Sequence, residues 1–151
     1  MSWKEFEESA PEMASLGSER INRKITYLAT IKKNSSPRLH PVTPFIGNGM
    51  LFMFTEPTSP KIGDLCRDGR YAMHCSVDRK EGDPLIEFLV SGNAQAITDE
   101  LVRQEAKKIA ATSINLDGYY LFEFHIDYAL AVEYDDDWKK VPRRWRRDSQ
   151  P

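Results

Sequence analysis

A chain of 151 residues has the length of a single domain and can bury enough core to fold without disulfides or metal. Its 21 basic and 23 acidic side chains nearly cancel, which removes any overall drive toward nucleic acid or an anionic membrane. No apolar run approaches the roughly 20 residues needed to cross a bilayer, and two cysteines, Cys66 and Cys75, give neither a disulfide framework nor metal-ligand spacing.

The N-terminal Met-Ser-Trp-Lys-Glu-Phe-Glu-Glu is acidic where a signal peptide is basic and then apolar, so a cytoplasmic protein with reduced thiols is expected. Residues 3–17 read as a helix broken at Pro11 and ended by Gly17. From Ile25 to Ile31 the period changes to two, with a β-branched and aromatic mix that suits a strand. Asn34-Ser35-Ser36-Pro37 is turn chemistry, and a second strand returns over 38–46. Gly47-Asn48-Gly49 marks a hairpin into a third strand over 50–55. A short helix over 60–67 follows, with Gly69 placed to terminate it. Strand four spans 70–77, a loop 78–84, and strand five 85–97, with a bulge expected at Gly92. Asp99 caps a helix to about Ala111, with an apolar stripe of Leu101, Val102, Ala106, Ile109 and Ala110. A sixth strand runs over 119–134. Six hairpin-joined strands with two or three short helices predict a mainly β fold, an antiparallel barrel with helices at its periphery.

Two segments carry chemistry. Ser59-Pro60-Lys61 opens the 60–67 helix with a cap residue, a proline at the first helical position, and a cation beside outward-pointing amides. A helix start of this kind suits a phosphate; it also suits an ordinary capped helix with a surface lysine. In strand two, Arg38-Leu39-His40-Pro41-Val42-Thr43-Pro44 loses two ladder donors to proline, so this is an edge or interrupted strand. Its unpaired backbone groups suit a planar heterocycle, or the prolines simply guard an exposed edge. Together the segments are more specific. A hairpin brings Arg38 toward Thr55, Ser59 and Lys61, so that two cations, hydroxyls and a helix N-terminus converge on one phosphoryl group.

Tyr27-Leu28-Ala29-Thr30, Pro37 through Pro44, Ser59-Pro60-Lys61 with Asp64-Leu65, and Arg70-Tyr71-Ala72-Met73-His74 resemble, in their order and spacing, the pyridoxamine 5′-phosphate oxidase-related, FMN-binding split-barrel family. The resemblance covers about residues 11–97 and, more loosely, the last strand. It implies a six-stranded split barrel over 1–134, with 1–20 as an N-terminal helical segment, and a homodimer holding FMN in two interface clefts. Arg38, Ser59 and Lys61 then surround the phosphate, assisted by Thr55. His40, Pro41, Val42 and Thr43 lie along the isoalloxazine, mostly through backbone, and Phe54 joins the cofactor-binding set. The oxidases proper carry Arg-x-His-x-Arg near the C-terminus, whereas this chain has Arg143-Arg144-Trp145-Arg146-Arg147. The implied activity is therefore that of a flavin-dependent oxidoreductase with another substrate. Because the fold also hosts deazaflavin-dependent reductases and haem-utilisation proteins, deazaflavin or haem are the alternative cofactors, and a non-catalytic binder the alternative function.

Residues 135–151 read as a charged tail, its acidic start neutralising its basic end, or as an arm reaching over a partner subunit. His74 and His125 sit in strand patterns as wall residues, Cys75 as buried packing and Cys66 as a helix residue. No nucleophile–base pair, metal-ligand cluster or dinucleotide fingerprint is present, and no nucleic-acid module.

Overall fold

The computed structural model describes residues 1–77 and 84–147; nearly all of the loop expected over 78–84 lies outside them. The first helix, α1 (Trp3–Ser9), starts in a capping box: Glu5 N–H donates to Ser2 Oγ, and Ser2 N–H donates to the Glu5 carboxylate. The second, α2 (Pro11–Ile21), begins at the proline expected to break the helix but runs four residues past Gly17. Gly17 is an interior packing residue, because a Cβ there would lie 2.4 Å from Phe88 Cζ. Its absent side chain is what lets the helix settle on the sheet.

Eight strands form one antiparallel sheet, where six were expected. They are β1 (Thr26–Ile31), β2 (Pro37–Val42), β3 (Phe45–Gly47), β4 (Met50–Thr55), β5 (Arg70–Cys75), β6 (Leu85–Ile97), β7 (Tyr120–Tyr134) and β8 (Lys140–Arg146). One extra strand arises because the second predicted strand divides at Thr43-Pro44; Pro44 cannot donate to a ladder, and the chain changes sheet edge there. The other is β8, in the segment read as a charged tail, which pairs with β7 from Tyr134↔Lys140 to Tyr128↔Arg146.

The strand order β2-β1-β5-β6-β7-β4-β3 explains the barrel. Its two end strands, β2 and β3, are consecutive in sequence and joined by two residues, so they lie within about 11 Å of each other. A seven-strand path whose ends are that close must curl on itself, yet β2 and β3 share no ladder. The barrel closes at a split. Asn22 and Arg23, just after α2, pin that seam: Ile46 N–H donates to Asn22 Oδ1 (2.9 Å), and Arg23 N–H donates to Pro44 O (2.8 Å). The hairpin expected at Gly47-Asn48-Gly49 is present, with Asn48 and Gly49 both at positive φ (51° and 75°), as a two-residue primed turn requires. The bulge expected at Gly92 is also present, as a register shift between Ser91 and Gly92 against β7.

The inward face of the sheet joins α1 and α2 in the main core, with Phe6, Leu28, Met73, Phe88, Val90, Phe122, Phe124 and Ile126 fully buried. Each such side chain contributes about 1.5–3 kcal/mol of burial. The outer face is covered at one end only. There α4 (Glu100–Ala110) packs Ala106 and Ile109 onto Phe52, Phe54, Ile97 and Leu121. Leu101, expected in that helix's apolar stripe, is 74% exposed, because the stripe winds past it to Val102. Among the described residues, no helix is long and apolar enough to cross a membrane.

Candidate functional site

The site is built where β4 ends and α3 (Pro60–Arg67) begins. Thr55 closes β4, and the turn that follows is tied by Ser59 N–H donating to Glu56 O at 3.0 Å. Ser59 occupies the N-cap with extended backbone and Pro60 the first helical position, as expected. The Ser59 hydroxyl, however, makes no capping bond. The Ser59 hydroxyl is thus not spent on the helix start, where Pro60 has no N–H and Ile62 N–H donates to Ser59 O at 3.2 Å. Thr55 is buried, and its Oγ1 has no hydrogen-bond partner among the described residues.

Strand β2 supplies the facing wall. Alternation turns Arg38, His40 and Val42 inward, half-buried, and leaves Leu39 and Pro41 exposed. Register against β1 places Arg38 opposite Thr30 and His40 opposite Leu28. Because β2 is an edge of the sheet, Pro41 interrupts no ladder on its free side, and the outer backbone groups of the strand meet no neighbouring strand.

Asp64 joins the two walls. It is 3% exposed and accepts from Arg38 Nε (2.6 Å), Thr30 Oγ1 (2.9 Å) and, more distantly, Arg67 Nη2 (3.4 Å). Burial pushes this carboxyl upward, but the hydrogen bonds from Arg38 and Thr30 and the charge of Arg38 outweigh it and hold the pKa below its ordinary value. Asp64 grips Arg38 by Nε alone, so the terminal guanidinium nitrogens keep their donors.

The remaining groups repel. Lys61 has its amine pulled below the usual lysine range by burial and then by the charge of Arg38, with exposed Glu56 partly opposing. His40 is lowered by burial, then by Lys61 and Arg38, against a smaller pull from Asp64. Its Nε2 is buried without a partner among the described residues. Arg38 and Arg67 thus share one buried carboxylate, Lys61 and His40 lie within electrostatic reach of Arg38, and His40 Nε2 and Thr55 Oγ1 have no partner among the described residues. An anion would reverse each of these penalties.

Of the residues singled out from sequence, Arg38, His40 and Lys61 are within electrostatic reach of one another, with Thr55 and Ser59 at the same strand–helix junction. Val42 faces inward and packs on the core, Pro41 is exposed at the edge, and Thr43 is exposed in the connection to β3. Phe54 stands apart: it contacts Phe52 edge-on (6.2 Å between centroids) in the cluster beneath α4. Thr30 and Arg67, and the pinning role of Asp64, were not singled out as site features; a carboxylate three residues after Lys61 in the same helix is the only local sign. No group of three or more His, Cys, Asp or Glu side chains able to hold a metal lies among the described residues.

No family model matches the sequence, and no curated protein matches it. Solved structures do. A NimC/NimA family protein from Clostridium acetobutylicum matches at 13% identity over 89% of this chain and 91% of its own, with TM-score 0.64. A protein from Listeria innocua assigned as a pyridoxamine 5′-phosphate oxidase matches at 12% over 82% and 95%, with TM-score 0.57. A heme binding protein from Mycobacterium smegmatis matches at 17% over 82% of this chain, with TM-score 0.65; the chain spans 53% of that protein's length. At such identities the likeness is one of architecture: this chain shares the fold of these structures, a split antiparallel β-barrel.

Proposed function

We propose that the protein is an FMN-binding oxidoreductase, its flavin held at a homodimer interface. The observation that carries this reading is the cation cluster. Burial and the nearby charge of Arg38 lower the Lys61 amine, at a helix start whose Ser59 hydroxyl makes no cap, just after Thr55, whose Oγ1 has no partner among the described residues. A phosphate monoester meets all of these demands at once. In this reading Lys61 and the Nη donors of Arg38 take the phosphate charge, and Ser59 and Thr55 donate their hydroxyls. Asp64 fixes Arg38 in place. The edge backbone of His40–Thr43 offers its free groups to the isoalloxazine, and Leu39 and Pro41, turned outward, wall it from the second subunit. Bound flavin supplies the hydride or electron transfer.

The homodimer rests on the outer sheet face. Beyond α4 that face has no cover, and it carries exposed Ile25, Tyr27 and Leu39. An absorption spectrum after incubation with FMN tests the proposal. Retained bands at about 375 and 450 nm are expected. A band at about 420 nm retained from a deazaflavin, or a Soret band from haem, would move the cofactor to those groups. Uptake of none of the three would end the reading.

A further inference from the structure

Strand β8 pairs with β7 along one edge, and no described strand pairs with the other. Its hydrogen-bond phase is set at the turn before it, where Asp135 N–H donates to Lys139 O at 3.2 Å. Bonded and non-bonded pairs alternate along an antiparallel ladder. Val141, Arg143 and Trp145 therefore exchange bonds with β7, while Lys140, Pro142, Arg144 and Arg146 turn their backbone groups to the open edge. Pro142 has no N–H, which leaves the amides of Lys140, Arg144 and Arg146 without a backbone partner among the described residues.

Side chains follow the same alternation. Trp145 turns into the core, so Lys140, Arg144 and Arg146 stand on the outer face, all exposed. Glu133 pairs with Arg143 and Asp127 with Arg147, whereas these three cations have no carboxylate partner among the described residues. Lys140 and Arg146 rest over the rings of Tyr134 and Tyr128, with their charge outward. On the inner side an open groove separates β8 from the α1–α2 junction, with Ala10, Pro11 and Met13 as its apolar wall opposite Trp145. No residue of β7 lines it, so it flanks β8 on the open side.

We propose that β8 accepts an added antiparallel strand from an acidic segment of a partner protein. Acidic residues of that segment lie opposite Arg144 and Arg146 and exchange main-chain hydrogen bonds with them, and the residues between turn apolar side chains toward the groove. A second copy of β8 does not suit the edge, because antiparallel pairing would set cations against cations. Cations on an edge ward off strands in general; those three reject cationic strands and admit acidic ones. Nothing in this assignment depends on flavin.

Nuclear magnetic resonance of the ¹⁵N-labelled full chain tests it, with the peptide acetyl-Glu-Val-Glu-Leu-Glu-Val-Glu-amide as the probe. Saturation below about 1 mM is expected, with the amide hydrogens of Arg144 and Arg146 newly protected from exchange. N-methylation of the two glutamates beside the leucine should abolish binding, because their amides face β8. N-methylation of the leucine, whose amide faces away, should leave affinity within about threefold. Arg144→Glu combined with Arg146→Glu should weaken the probe at least about tenfold, while a dispersed spectrum reports the fold. Binding without protection of the two amides, equal loss from both methylations, or unchanged affinity in the arginine variant would each overturn the proposal. So would tighter binding of the lysine-for-glutamate peptide or of oligothymidylate, or absence of saturation up to about 1 mM.

Discussion

Lys61 and Asp64 are separated by less than a helical turn and do opposite jobs. Lys61 is half-buried with no ion-pair partner among the described residues, so its charge is available to a ligand. Lys61→Ala should therefore weaken FMN by the worth of one charge-assisted bond, about 1.5–3 kcal/mol, or about ten- to a hundredfold in Kd. Quenching of FMN fluorescence on titration measures this, and unchanged affinity would remove Lys61 from the phosphate. Asp64 holds Arg38 and Thr30 and is a stability residue as well. Removing one partner of a buried pair costs about 3–5 kcal/mol, and the 26% exposure of the Arg38 side chain argues for the lower end. Asp64→Ala should unfold at correspondingly lower denaturant.

The pH dependence has a definite sign. The folded pKa of Asp64 is depressed, so its contribution is fully present above the ordinary value of 3.8 and is lost as pH falls through the lower folded value. Asp64→Asn should flatten that part of the acid limb in pH-dependent denaturation. Lys61 and Arg38 were legible from sequence because each carries its chemistry in its own type and local setting. Asp64 was not legible as a pinning residue, because what makes it one is burial between Thr30 and Arg38, 34 and 26 residues away in the chain.

Gly17 shows how packing overrides a local signal at the scale of an element. Glycine inside a helix is a usual stop signal, yet α2 continues to Ile21 because Phe88 of β6 occupies the place of its side chain. Gly17→Ala sets two effects against each other. Alanine gains about 1 kcal/mol of helix propensity, while a Cβ at 2.4 Å from Phe88 Cζ forces repacking of a fully buried ring, at about 1–3 kcal/mol. Net destabilisation of about 1 kcal/mol or more is expected from thermal melts, and Phe88→Leu in the same chain should recover part of it. Strand β8 is the complementary case. Its Lys140-Val141-Pro142-Arg143-Arg144-Trp145-Arg146 has one buried apolar residue, Trp145, and a proline, so no period of two emerges from hydrophobicity. It forms because β7, at 15 residues, continues beyond β4 and leaves an edge from Tyr128 to Tyr134 for it to pair with. Strands β1 and β7 alternate, β4 and β6 are apolar runs bounded by turn residues, and all four were legible; β8 exists by virtue of its neighbour.

The whole molecule is asymmetric in cover. Along the outer sheet face, α4 shields β3, β4 and the start of β7, while among the described residues no helix covers the rows Leu39–Ala29–Ala72 and Pro41–Tyr27–His74 across β2, β1 and β5. Small residues at Ala29 and Ala72 keep this patch flat, and Leu39 stands from it at 67% exposure. In the proposed reading the occupant is a second copy of the chain, because Leu39 and Pro41 alternate with Arg38 and His40 on the strand proposed to line the flavin. A stable dimer needs about 800 Å² from each subunit, which a face of three strands can supply. Leu39→Asp separates this arrangement from a monomer. In a monomer the residue is solvated and the change should alter stability by no more than about 0.5 kcal/mol. In the dimer it buries an unpaired carboxylate opposite an apolar face, a penalty of several kcal/mol. Sedimentation should therefore show the variant as a monomer at concentrations where the parent is a dimer, with unfolding little changed. FMN affinity should fall with it, since the ring loses its second wall while the phosphate keeps Lys61 and Arg38. A parent that sediments as a monomer, or a variant that remains a dimer, would remove this face from the interface and leave the phosphate cluster to stand alone.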